Sequence, residues 1–246
     1  MTKKYEKDKS ISITRSAFLD KYLNIKSNDN TKGFCIDING DNTWLNEHEY
    51  FRYIGPRYIL VLDIETTGFN HTTDCILELG MVELDTYTGA IVEKFHSTFK
   101  EDHLRRFHTN AWIFQNSSLT VNEIRDSRPL EDYREEIQTL LDAYTVTAWN
   151  SSFDLDFLTS RNFDVGARLM DPMKTSTNYF KLPFKNAKPQ NIRGMQYKYP
   201  SAQEAYDILF PKEKIIEAHR GLDDAIFEAK IIYTLILLDV YSLKII

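Results

Sequence analysis

One stretch constrains the fold more than any other: Ile59-Leu60-Val61-Leu62-Asp63-Ile64-Glu65-Thr66-Thr67-Gly68. Four apolar residues run directly into Asp63, the pattern of a buried strand that ends in acid. Side chains alternate along a strand with period two, so Asp63 and Glu65 share one face and Ile64 takes the other. Two carboxylates a few ångströms apart at the end of a core strand repel each other and lose hydration. A hard divalent cation with oxygen ligands is the natural partner for such a pair. Thr66-Thr67-Gly68 follows as a turn, where glycine lets a ligand approach the backbone closely. A lone Asp-x-Glu also reads as two solvated charges at a strand end. The weight therefore falls on whether the rest of the chain supplies partners.

The chain has 246 residues, 42% hydrophobic and 27% charged, enough for one ordinary domain and an extension. Its formal net charge of −6 argues against a basic, nonspecific nucleic-acid coat. It does not argue against nucleic acid itself, because clustered catalytic acids lower the net charge. Cys35 and Cys75 are the two cysteines and show no zinc-type spacing, so reduced thiols and a cytoplasmic location are expected. The charged start, Met1 to Ser10, precedes no apolar stretch, which leaves no signal peptide to expect. The longest apolar run, Ile231 to Leu238, is far short of the ~20 residues a membrane span needs, so no membrane partner is expected.

Residues 1–57 read as a partly ordered N-terminal extension. Met1 to Lys9 is a mixed-charge tail, Ser16 to Leu23 a short helix capped by Ser16, and Phe34 to Ile38 a strand leading to a hairpin turn at Asn39-Gly40. Phe51 to Tyr58 is aromatic and basic, broken by Gly55-Pro56. The main domain spans residues 58–246. Strands at Ile59–Asp63, Ile76–Leu84 and Ile91–Phe99 form an antiparallel meander. Helices over Asn116–Asp126 and Leu130–Ala143 follow, then a fourth strand at Thr145–Trp149, a helix over Asp154–Asn162 and a short fifth strand at Arg168–Asp171. Ser201 and Glu204 form a capping box that opens a helix to Phe210, and the last helix runs from Asp223 to about Tyr241. The fold class is α/β, a mixed five-stranded sheet with helices on both faces.

Two further groups carry acids. Asp154 ends Trp149-Asn150-Ser151-Ser152-Phe153-Asp154, where the fourth strand gives way to a helix. It can project over the sheet edge beside the first strand, although aspartate at a helix start is also a common cap. Asp156, two residues on, faces elsewhere. The third group is Ala218-His219-Arg220-Gly221-Leu222-Asp223-Asp224. On one continuous helix His219 and Asp224 would lie roughly 140° apart. His219 is therefore expected on a lead-in containing Gly221, and Asp224 in the first helical turn, both turned to one site.

In order and spacing the three groups resemble the DEDD 3′–5′ exonuclease superfamily, in its histidine-bearing (DEDDh) branch. That branch includes the proofreading exonuclease subunit of bacterial DNA polymerase III and ribonuclease T. Asp-x-Glu-Thr-Thr-Gly matches Asp63 to Gly68, Asn-x-x-Phe-Asp matches Asn150 to Asp154, and His-x4-Asp matches His219 to Asp224. Many relatives carry histidine where this chain has Trp149. The resemblance covers about residues 58–240 and nothing before. It implies a ribonuclease-H-like sheet on which Asp63, Glu65, Asp154 and Asp224 hold two divalent ions, Mg²⁺ or Mn²⁺. One ion acidifies an attacking water and the other stabilises the leaving oxygen. His219 is the implied general base, a role suited to a side chain with an ordinary pKa near ~6.5. The implied substrate is a single-stranded 3′ end of DNA or RNA, released as nucleoside 5′-monophosphates. Thr66, Thr67, Gly68 and Phe69, with Asn150 and Phe153, are the residues implied to seat the terminal nucleotide, Phe69 as a wedge, although an aromatic there reads equally as plain core packing. The N-terminal extension is available to dock a polymerase or another protein partner.

The residues alone add one feature. No acid stands between Asp171 and Glu204, while Lys174, Lys181, Lys185, Lys188, Arg193 and Lys198 interleave with Tyr179, Phe180, Phe184, Tyr197 and Tyr199. Such alternation suits a single strand, with charges on phosphates and rings under bases, and equally suits a solvated loop over a satellite core. Two other functions use the same features: an endonuclease or transposase-like enzyme on the same sheet, and a non-catalytic nucleic-acid-binding module. The Asn-x-x-Phe-Asp and His-x4-Asp spacings favour the exonuclease.

Overall fold

A computed structural model describes residues 11–246 except 25, 27, 29, 39–40 and 185–194. The Met1–Lys9 tail, the Asn39-Gly40 turn, and Lys185, Lys188 and Arg193 lie outside the described residues. The chain divides into two compact units, Met1–Gly55 with Ser242–Lys244, and Pro56–Tyr241 with Ile245–Ile246.

In the first unit, β1 (Ile11–Thr14), β2 (Lys32–Ile38) and β3 (Asp41–Asn46) form an antiparallel sheet in that order. Helix α1 (Arg15–Leu23) is capped by Thr14, whose hydroxyl accepts the Ala17 N–H at 3.2 Å, and not by Ser16 as expected. Thr14 is extended at the helix start, and that lets its oxygen reach the first turn. Helix α2 (Glu47–Ile54) was not expected, because the aromatics of this segment masked a capping box. The Asn46 N–H donates to Glu49 at 2.8 Å and the Glu49 N–H donates to Asn46 at 2.9 Å.

In the second unit, β4 (Tyr58–Thr66), β5 (Ile76–Asp85) and β6 (Ile91–Thr98) form the antiparallel meander. Segments 113–143 hold α3 (Ile113–Asn116), α4 (Val121–Asp126), a 3-10 turn (Leu130–Tyr133) and α5 (Arg134–Ala143). The helix expected over Asn116–Asp126 is thus interrupted. Ser117 turns back to bond Ile113 O, and Thr120 caps α4 afresh through the Glu123 N–H at 3.1 Å. Strand β7 (Thr145–Thr147) joins β4 in parallel, giving the order β6-β5-β4-β7. Helices α6 (Ser151–Ser160), α7 (Pro172–Phe180), α8 (Ala202–Leu209) and α9 (Gly221–Leu237) complete the unit. Where the fifth strand was expected, Arg168 bridges Val146 in parallel and Leu169 bridges Ile245. Asp171 does not extend that pairing; it caps α7, accepting the Met173 N–H at 3.0 Å.

Period-two alternation sorts the central strand between two layers. Leu60, Leu62 and Ile64 join Leu79, Met81 and Phe95 in a core closed by Ile137 and Leu141 of α5 and Leu155 and Leu158 of α6. Helix α9 packs on the sheet as well, against β4, β5 and β6. Its approach depends on Gly80, where an added Cβ would collide with the backbone of Gly221 and Leu222. The first turn of α9 therefore rests directly on β5. Among the described residues no helix is long and apolar enough to cross a membrane.

Candidate active site

The register pairs Asp63 with Gly80 and Glu65 with Glu78, so these acids share the sheet face on which Gly221 lies. Asp154 reaches the same place from α6, which starts at Ser151 rather than Asp154. Asn150 precedes the helix in the left-handed region, with φ 64°. Asp154 is only 2% exposed and accepts the Ile64 N–H of β4 at 3.2 Å, so it bonds across to the central strand instead of capping its own helix. Asp156 is exposed. Asp224 lies in the first turn of α9, and its carboxylate accepts the Ala218 and Arg220 N–H groups at 3.0 and 3.2 Å. Between those two donors stands His219, in the left-handed region with φ 54°. Ligand atoms of Glu65, His219 and Asp224 lie within 4.8 Å of one another.

Burial and mutual repulsion dominate the electrostatics. Burial pushes the Asp63 carboxyl well above the usual carboxylate range, and the charges of Glu228, Glu65, Asp154 and Asp224 push it further. Burial and Asp224 raise Glu65 to about 9. Asp154 is raised well above its ordinary value by burial, and Asp224 is raised chiefly by burial too. Oδ2 of Asp63 is buried with no hydrogen-bond partner. An oxygen-only cluster with an orphaned carboxylate oxygen fits a hard divalent cation, which would satisfy that atom and relieve the repulsion.

The residues around this cluster divide into two kinds. The Thr66 hydroxyl donates to Gly68 O at 2.6 Å, and the Thr67 hydroxyl accepts the Cys75 N–H at 2.9 Å. Both build the loop after β4. Gly68 serves that loop as well, since a Cβ there would sit 2.5 Å from Asp74. Phe69 projects from it 92% exposed, so it is not a core residue, and its ring meets Phe153 edge-on at 6.1 Å. Trp149 is buried, with its indole N–H bonded to Pro200 O at 3.1 Å. In the basic stretch, Lys174 pairs with Asp171 at 3.1 Å and Lys198 with Glu204 at 2.5 Å. Those two charges are engaged within the chain, and both pairs cap helices.

A family model described as Exonuclease, of the RNase T type, matches residues 60–232, more than half the chain. The chain belongs to this exonuclease family. It is a member of the DEDD exonuclease superfamily. It is similar to the PolC-type DNA polymerase III of Clostridium perfringens, 27% identical over 236 residues, covering 91% of this chain and 15% of that protein. The PolC-type polymerase of Bacillus cereus is 26% identical over 126 residues, 51% of this chain and 8% of that protein. The chain thus spans less than a sixth of the length of these curated relatives. The first likeness covers more of the chain than residues 58–246 amount to, so it continues into the N-terminal unit, where the motifs gave no resemblance. Among solved structures, a full-length 3′-exonuclease aligns with TM-score 0.55 at 18% identity, over 77% of this chain and 85% of that one. The nuclease domain of a DEDDh family member bound to rAMP aligns with TM-score 0.55 at 17% identity, over 77% and 96%. At such identity these neighbours share the fold.

The candidate site contains acids that the motifs did not mark. Glu228, one helical turn after Asp224 on α9, is 3% exposed and accepts the Trp149 N–H at 3.0 Å. Burial and Asp154 raise it well above its ordinary value. Its signal was available: a glutamate at i+4 from a motif aspartate on an otherwise apolar helix. Burial and Asp224 raise Glu217 to about 7. Glu78 is fully buried opposite Glu65 and was read only as part of a strand. Trp112, whose ring lies 4.9 Å from that of His219, carried no sequence signal.

Proposed function

We propose that this chain is a 3′–5′ exonuclease domain that hydrolyses phosphodiester bonds at a single-stranded 3′ end of DNA or RNA and releases nucleoside 5′-monophosphates. The observation that carries the reading is the buried, unpartnered Asp63 Oδ2, on a carboxyl whose pKa is raised first by burial and then by carboxylates that reach it from β4, α6 and α9. In this reading Asp63, Glu65, Asp154 and Asp224 hold two divalent ions, Mg²⁺ or Mn²⁺. Such ions, when bound, supply the positive charge that acidifies water and stabilises a leaving oxygen. His219, within 4.8 Å of Glu65 and Asp224, accepts the proton of the attacking water. Phe69 and Phe153 wedge the last base, while Thr66, Thr67, Gly68 and Asn150 shape the loops that bracket it. The PolC-type relatives support a role beside a polymerase, with the N-terminal unit as the docking part.

End-labelled DNA and RNA oligomers incubated with Mg²⁺, Mn²⁺ or EDTA test this, with Asp63→Ala as control. A ladder shortening from the 3′ end, absent in EDTA and in the variant, is expected. Internal cuts would show an endonuclease instead. No reaction with either ion would leave a binding module.

A further inference from the structure

His219 occupies a backbone conformation that side-chain-bearing residues rarely adopt, φ 54°. Something must hold it there. Asp224 grips the backbone on either side, through Ala218 and Arg220. A second grip comes from the Arg220 side chain. Its Nε donates to both Glu78 oxygens at 3.1 and 2.8 Å, and one terminal nitrogen donates to Glu78 and Glu123, each at 3.0 Å. The other terminal nitrogen donates to the Ser118 hydroxyl at 3.1 Å.

These partners are not arbitrary. Glu78 lies on β5 directly across from Glu65, and like charges so placed repel. Burial pushes Glu78 up, yet the hydrogen bonds from His96 and Arg220 outweigh it and hold the carboxyl below its ordinary value. Glu78 is thereby removed from the acid cluster and made an anchor. Ser118 lies in the turn between α3 and α4, and Glu123 in the first turn of α4. Just before α3, Trp112 sets its half-exposed ring edge-on to the His219 imidazole, at 4.9 Å and 78°. One guanidinium therefore ties the His219 lead-in to the sheet and to the wall that packs on the imidazole.

We infer that Arg220, anchored on Glu78, is a positioning residue: it fixes the His219 imidazole against Glu65 and Asp224 and holds the Trp112 wall beside it. The inference rests on the exonuclease reading above, in which His219 takes the proton. A planar fork is needed to reach three partners at once, which lysine cannot do. Misplacement of a proton acceptor by about 1 Å costs on the order of 10²-fold.

The test compares the full chain with Arg220→Lys, His219→Ala and the double variant. It measures kcat and KM on a 3′-labelled oligonucleotide with Mg²⁺, and thermal unfolding of each protein. Arg220→Lys is expected to lower kcat about 10–100-fold with KM within about twofold. In the His219→Ala background the same change should alter kcat less than about twofold, while lowering the unfolding temperature equally in both backgrounds. Glu123→Ala, which removes one bond at a partly exposed carboxylate, should show the same pattern more weakly and serves where Arg220→Lys fails to fold. An active wild type with unchanged kcat in both single variants, or an equal loss with and without His219, overturns the positioning role. An inactive wild type overturns the exonuclease reading itself, and this inference with it.

Discussion

The acid cluster makes metal-free stability depend on pH in a direction opposite to that of an ordinary salt-bridged carboxylate. Glu65 is the clearest case, raised from 4.5 to about 9. A folded-state value above the unfolded one means that folding takes up protons. The stability is fully present below about 4.5 and is lost as pH rises through about 9. At about 1.4 kcal/mol per tenfold change, Glu65 alone would account for about 6 kcal/mol. Because the site's acids titrate together, one neutral substitution recovers less, on the order of 2–4 kcal/mol. For a chain of this size that is roughly 5–15 °C in melting temperature. The perturbation is Glu65→Gln, which keeps shape and removes charge. Melting curves in EDTA from pH 5 to 9 should show the wild type losing stability steadily and the variant losing less, so that the variant melts higher at pH 8. Saturating Mg²⁺ or Mn²⁺ should then raise the wild type, by about 2.7 kcal/mol at a hundred times Kd, and raise the variant less. A wild type whose melting temperature is flat from pH 6 to 9 in EDTA, or a variant that melts below it at pH 8, would refute the reasoning.

His219→Ala should keep the metal-induced rise in melting temperature while kcat falls about 10²–10⁴-fold, as loss of a proton acceptor would give; loss of the metal response would make His219 a ligand instead. Gly80→Ala places a methyl group against the first turn of α9, and urea unfolding should show a loss of about 1–3 kcal/mol. Phe69→Ala removes a ring that is 92% exposed, so stability should change by less than about 0.5 kcal/mol. KM should nonetheless rise roughly tenfold if the ring stacks on a base, within the about 1–3 kcal/mol that such contacts supply.

What could be read from the sequence, and what could not, follows from how far each relation reaches along the chain. The Asp63/Glu65 pair was legible because period two is a property of one strand. Asp154 and the His219–Asp224 pair were legible because each stands at the start of a helix, where local signals concentrate. The α3–α4 interruption and the Asp171 cap were missed for the opposite reason: a serine or aspartate side chain can continue or end an element, and neighbours decide which. The facing glutamates show the limit most clearly. Glu65 and Glu78 oppose each other only through the β4–β5 register, which neither strand declares alone. Their protonation then diverges, Glu65 raised to about 9 and Glu78 held low. The difference comes from His96 and from an arginine 142 residues downstream of Glu78, both bonded to the Glu78 carboxylate. Without those partners the sheet would carry two buried carboxylates face to face, with nothing to hold Glu78 low. With them, the raised carboxyls are those on the Asp63/Glu65 side, where Asp154 and Asp224 also converge. Arg220 is also bonded through its backbone to Asp224 and adjoins His219, so in the proposed reading the anchoring of Glu78 and the placement of the proton acceptor meet at one residue.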